Sequence, residues 1–122
     1  MVDMKLHKIL SGLDVIDDMQ DQFEWEEFKE GIEISRIYDV KNEGPAAALL
    51  RYSAGAEAPM HLHIGYEHIL ILSGSQTDGV NLFNKGMLII SSPGSQHRIY
   101  SEKGCIALAI WHAPVQFVSN AE

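Results

Sequence analysis

The sequence predicts an all-β protein, a small sandwich or barrel. Short runs rich in branched and aromatic residues recur from Gln22 onward, and nearly every gap between them holds Gly, Asn, Ser or Pro. No long pattern of helical period interrupts them, which argues against parallel βαβ units. Several of the runs are apolar on both faces and so need cover on two sides.

Each run has its own warrant. Residues 6–19 suit a short helix or a strand and turn, and the acidic positions Asp14, Asp17, Asp18 and Asp21 read as a solvated face. In 22–28 the aromatics Phe23, Trp25 and Phe28 mark a strand, and 32–38 is rich in β-branched residues. Lys41-Asn-Glu-Gly44-Pro45 signals a turn. Strands follow at 46–52, 66–72, 80–83, 87–90, 97–100 and 105–111. They are parted by Ser73-Gly74-Ser75, Asp78-Gly79, Asn84-Lys85-Gly86, Ser91-Ser92-Pro93-Gly94 and Lys103-Gly104. In 66–72, alternation sets Glu67, Ile69 and Ile71 on one face and His68, Leu70 and Leu72 on the other. The run at 105–111 has no polar face. A barrel buries one face of each strand. The other needs a further sheet, the amino-terminal segment or a second subunit, and a homodimer is the expectation.

At 122 residues the chain makes one domain, and its 46% hydrophobic content is enough for a packed core and excludes a disordered chain. The formal net charge is −8 and the nine Lys and Arg residues are scattered, which argues against nucleic acid and anionic membranes as partners. Cys105 stands alone, so neither an intrachain disulfide nor a thiolate zinc cluster can form. The start, Met1-Val-Asp-Met-Lys-Leu-His-Lys-Ile-Leu, lacks the long apolar region of a secretory signal. No run reaches transmembrane length, and the cytoplasm is the expected compartment.

The chemistry concentrates between Gly55 and Gly74. His61 and His63 are two apart, so on an extended strand both side chains share a face. Glu67 opens the next strand after the link Ile64-Gly65-Tyr66, and its alternation mates Ile69 and Ile71 are apolar and point it into the core. An isolated inward carboxylate is costly, and a bound cation removes that cost. A further imidazole, His97, comes in Pro93-Gly94-Ser95-Gln96-His97. Three imidazoles and one carboxylate suit a divalent transition metal: zinc or iron first, with manganese or nickel also compatible.

These residues resemble the cupin family. The stretch from Gly55 to Gly74 follows the first cupin motif, G-x5-H-x-H-x3-E-x6-G, at every spacing. Gly86, Pro93, Gly94 and His97 resemble the second motif, G-x5-P-x-G-x2-H-x3-N. They depart from it by one extra residue before the proline, a glycine directly after it, and Ser101 at the asparagine position. Leu49-Leu-Arg-Tyr-Ser-Ala-Gly-Ala, His-x-His-x-Gly-x-Glu, Pro-Gly-Ser-x-His and Ser101-Glu-Lys-Gly-Cys105 together look like the ChrR-type cupin subgroup, over roughly Trp25 to His112. That subgroup often has a second acidic residue after the glutamate, where this chain has His68. The resemblance implies a jelly-roll barrel, or double-stranded β-helix, over residues 25–118. A short extension over 1–24 would pack on the barrel or at a dimer interface. It also implies His61, His63, Glu67 and His97 as the metal ligands.

A cupin fold does not decide function. The leading expectation is a small metalloenzyme with dioxygenase-like activity on a small carbonyl or aromatic compound. The alternative is a non-catalytic small-molecule binding or sensor module, related to the cupin domain of zinc anti-sigma factors. Full anti-sigma activity is not expected, because only about two dozen residues precede the barrel pattern and no Cys-x2-Cys is present. A structural barrel with a vestigial site conflicts with the complete ligand set. Candidate groups flanking the metal are Tyr52, Tyr100, Cys105 and Trp111. His68 falls on the face opposite Glu67, His112 lies beyond the last apolar strand, and His7 has no local context.

Overall fold

A computed structural model describes residues 7–40 and 44–118. The first three residues of the turn expected at 41–45 lie outside it, as does the start of the amino-terminal extension. Among the described residues ten strands form one curled antiparallel sheet: β1 (Glu26–Lys29), β2 (Ile32–Asp39), β3 (Ala46–Tyr52), β4 (Ala56–Leu62), β5 (Glu67–Thr77), β6 (Leu82–Asn84), β7 (Leu88–Ser91), β8 (Gln96–Ser101), β9 (Cys105–Trp111) and β10 (Gln116–Phe117). Their order is β1-β2-β3-β9-β5-β8-β4-β10, with β6 and β7 also paired to β5. The long β5 bridges the two halves, pairing with β9 and β7 at one end and with β6 and β8 at the other. The result is the expected jelly-roll barrel.

Two hydrophobic clusters explain the strands that are apolar on both faces. Inside the barrel lie Ile32, Ile34, Leu50, Tyr52, Ile69, Ile71, Ile99 and Ala107. On the outer face of β3, β5 and β9, Leu49, Leu72 and Ile106 pack with Ile16. Ile16 belongs to a single helical turn, α1 (Ile16–Met19), flanked by 3-10 turns at Leu13–Val15 and Gln20–Gln22. This segment therefore covers part of the outer face. It is clamped there by Arg51, which pairs with Glu33 at 2.7 Å, binds Gln20 at 2.9 Å and stacks over Trp25. Farther along the same face, Leu88 and Ile90 of β7 remain more than half exposed.

Several features depart from the expected strands, β10 among them. The residues at 56–62 form β4, although Glu57 and Pro59 interrupt its apolar pattern. Its pairing with β8 slips by one residue between Ala58 and His61, a bulge that accommodates Pro59. Ala58 upstream and His61 downstream both face inward as a result. Ser73-Gly74-Ser75 is not a gap: β5 runs through it to Thr77 with an irregularity between Ile71 and Ser73. Gly74 sits at φ +74°, and a Cβ there would lie 2.2 Å from the Gly104 carbonyl oxygen. The glycine serves close backbone approach rather than a turn. Finally, β1 begins at Glu26 rather than at 22, since Gln20–Gln22 is a 3-10 turn.

Ile16 is 1% exposed. Replacing it with alanine is expected to destabilise the fold by about 2–4 kcal/mol in urea denaturation. An unchanged midpoint would mean that the amino-terminal turn does not help hold the barrel.

Candidate metal centre

Strand register assembles the site. His61 of β4 lies directly opposite His97 of β8. Glu67 of β5 lies directly opposite Trp111 of β9. His63 follows β4, where its backbone N–H donates to the Ser95 carbonyl at 2.9 Å and its carbonyl accepts from Gly94 N–H at 2.8 Å. The Pro93-Gly94-Ser95 turn thus pins His63 beside His97. One donor atom from each of His61, His63, Glu67 and His97 lies within 4.8 Å of all the others. The three imidazole rings stand nearly perpendicular, with centroids 4.6–5.1 Å apart. His61, His63 and Glu67 are buried and His97 is partly so.

Backbone acceptors fix which nitrogens face inward. The His61 Nδ1 lies 2.8 Å from the Pro59 carbonyl, a group that can only accept, so Nδ1–H donates and Nε2 keeps its lone pair. The His63 Nδ1 meets the Ser95 carbonyl at 3.1 Å and the Ser95 hydroxyl at 3.0 Å. That hydroxyl spends its own proton on the Ser92 carbonyl, so Nδ1 of His63 is likewise the donor. The His63 Nε2 then lies 3.0 Å from Glu67 Oε1, with His97 Nε2 at 3.7 Å from the same oxygen. A cation satisfies that contact, whether a proton on Nε2 or a metal ion held among the four donors. The donor set fits zinc, iron, manganese or nickel.

The electrostatics of the site agree with this arrangement. Burial, with the neighbouring His61 charge next, pushes His97 down to about 4, and burial also lowers His61. Both rings are therefore neutral near pH 7, as a metal ligand has to be. Burial raises Glu67, but the hydrogen bond and charge of His63 and the Trp111 indole outweigh it and hold the carboxyl below its usual range.

The donors open on a narrow cavity in which water centres can occupy about 40 Å³, room for a few molecules. Its walls are largely apolar, among them Phe28, Ile69, Phe83, Ile89 and Phe117, and among the described residues no Lys or Arg lines it. Tyr52 lines the cavity too, and burial, then the Cys105 and Glu67 charges, keep its phenol protonated. Trp111 donates its indole N–H to Glu67 Oε2 at 2.7 Å. Cys105 is buried six residues along β9 from Trp111, where Gln76 donates to its sulfur at 3.4 Å, and it touches none of the four donors. Tyr100 does not reach the site: on β8 it alternates with His97 and is 38% exposed. His68 and His112 meet outside the barrel, with ring centroids 5.9 Å apart and Tyr66 beside both, and His7 is exposed. Pro59 and Ser95, whose carbonyls orient the imidazoles, were not among the sequence candidates.

The family model described as the ChrR cupin-like domain matches residues 15–116. The chain belongs to that family. It is similar to a chain in the crystal structure of the Rhodobacter sphaeroides SigE complex with the anti-sigma ChrR, at 27% identity and TM-score 0.64, over 71% of this chain and 47% of that one. This cupin thus spans about half the length of that relative. An acetylacetone dioxygenase from Acinetobacter johnsonii shares the fold at 14% identity and TM-score 0.74, over 98% of this cupin and 81% of that chain. So does an RmlC-like cupin from Ralstonia eutropha, at 17% identity and TM-score 0.73, over 84% and 71%. No curated protein matches the sequence. Among the described residues no helix is long and apolar enough to cross a membrane.

Burial raises the Cys105 thiol above its usual range, so little thiolate forms in the native state at pH 8. Alkylation of the native protein is expected to run at least about tenfold slower than in urea. Equal rates would place the thiol in contact with solvent.

Proposed function

We propose that this cupin holds one divalent transition metal through His61, His63, Glu67 and His97 and is a dioxygenase-like enzyme acting on a small, uncharged carbonyl or aromatic compound. The observation that carries this reading is the convergence of three imidazoles and a buried carboxylate at one end of an apolar cavity. When bound, the metal supplies Lewis acidity and, as iron(II), redox chemistry with dioxygen. The chain does the rest. Phe28, Phe83 and Phe117 line the cavity and exclude bulk water, favouring a flat or short apolar substrate. The Tyr52 phenol, held protonated, is a hydrogen-bond donor for a substrate carbonyl or hydroxyl. With no Lys or Arg in the wall, sugar acids and phosphorylated compounds have no partner beyond the metal. The fold shared with the Acinetobacter johnsonii acetylacetone dioxygenase supports the same class.

A second reading, metal-dependent binding without turnover, is favoured by membership of the ChrR-like family. The two separate experimentally. Iron-loaded protein is expected to consume oxygen with at least one member of a panel of small carbonyl and phenolic compounds. Tight binding of a compound with no turnover under any metal would move the assignment to a sensor.

Metal binding itself is tested by substitution. His61→Ala and His97→Ala are each expected to abolish stoichiometric metal uptake while far-ultraviolet dichroism is retained. Full occupancy in both variants would overturn the ligand set.

A further inference from the structure

The four donors do not account for Trp111. Its indole is a large group at the end of β9, and it spends its only hydrogen-bond donor on one oxygen of Glu67, Oε2, at 2.7 Å. The other oxygen, Oε1, is the one that faces His63 Nε2 at 3.0 Å and His97 Nε2 at 3.7 Å. The two oxygens of one carboxylate are thus assigned to different partners. The assignment is built into the sheet, because Glu67 and Trp111 are directly opposed across β5 and β9, and strand pairing fixes their side chains on one face. No water competes easily for the bond: Glu67 is 4% exposed, and its strand mates Ile69 and Ile71 are buried.

We propose that Trp111 is a positioning residue that restricts Glu67 to a single metal–oxygen bond, through Oε1. The inference rests on the reading of His61, His63, Glu67 and His97 as metal ligands. Its consequence is the number of coordination positions left for a substrate. Three imidazoles and one carboxylate oxygen occupy four. A second carboxylate oxygen would take a fifth, on a metal whose common limit is five or six. Trp111 and Glu67 both line the cavity, so a coordination position left free on that side would be open to a small molecule entering it. A charged donor on another strand could do the same only at the cost of a second buried charge. The indole N–H does it neutrally.

The test uses the whole chain loaded with cobalt(II), whose visible absorption reports coordination number, together with infrared difference spectra of protein carrying ¹³C-labelled glutamate. The wild type is expected to take up one cobalt and to show the wide carboxylate splitting of a one-oxygen ligand. Trp111→Phe, which keeps the ring contacts and removes the donor, is expected to keep one cobalt, narrow that splitting and lose cobalt band intensity severalfold as the coordination number rises. Trp111→Gln, which returns an N–H donor, is expected to restore part of the wild-type spectrum, an effect that packing alone would not produce. A two-oxygen glutamate in the wild type overturns the proposal even if Trp111→Phe does not fold, and so does a spectrum unchanged in a folded Trp111→Phe. Absence of cobalt from the wild type instead overturns the metal reading on which it rests.

Discussion

The carboxylate of Glu67 lies inside an apolar barrel, and the groups around it are arranged to make that tolerable. An unpartnered charge there would cost several kcal/mol even after relaxation. Both oxygens of Glu67 are instead engaged, one by the Trp111 indole and the other by the imidazole of His63. Each partner is delivered by strand register or by a hydrogen-bonded turn. The site is therefore a property of the sheet and its hydrogen-bonded turn, which together bring the four donor atoms to one place.

The bulge in β4 makes this geometry possible. Upstream of it, Ala56 and Ala58 face the core; downstream, His61 does so opposite His97, and His63 follows on the same side. A β4 without the extra residue would turn both histidines outward. The same irregularity brings the Pro59 carbonyl to His61 Nδ1. One inserted residue thus re-aims two imidazoles and fixes the tautomer of one of them. On the other side, Ser95 does for His63 what Pro59 does for His61, so both buried rings present Nε2 to a common centre.

Much of this was legible in the sequence, and the parts that were not have a common cause. The inward direction of Glu67 followed from Ile69 and Ile71, and the exclusion of His68 followed from the same alternation. Alternation would also have excluded Tyr100, three residues from His97 and so on the opposite face of a regular strand. The strand at 56–62 escaped because Glu57 and Pro59 break its apolar pattern, and the two residues of β10 are too short to leave one. The passage of β5 through Gly74 escaped because a glycine needed for close approach to Gly104 looks, in sequence, like one needed for a turn. The roles of Pro59 and Ser95 rest mainly on backbone carbonyls, which every residue carries, so side-chain identity gives no signal for them. The indole bond of Trp111 is different in kind: its donor is visible in the sequence, but its pairing with Glu67 depends on a register set by distant strands.

Charge balance narrows the compounds that suit such a site. On the proposed reading, a dication beside the single carboxylate of Glu67 leaves one net positive charge in a cavity with apolar walls and neutral imidazoles. Low polarity magnifies the cost of that imbalance. A neutral compound that gives up one proton to solvent water as it binds, such as an enolisable carbonyl compound or a phenol, would cancel the charge without any cationic side chain in the wall. A compound carrying two negative charges overshoots, and the cavity holds no Lys or Arg to compensate. A compound with no ionisable proton leaves the positive charge uncompensated in the barrel. On the proposed reading, the absence of basic residues from the wall among the described residues and the presence of only one acid among the four donors would both favour a small molecule that enters neutral and binds as a monoanion.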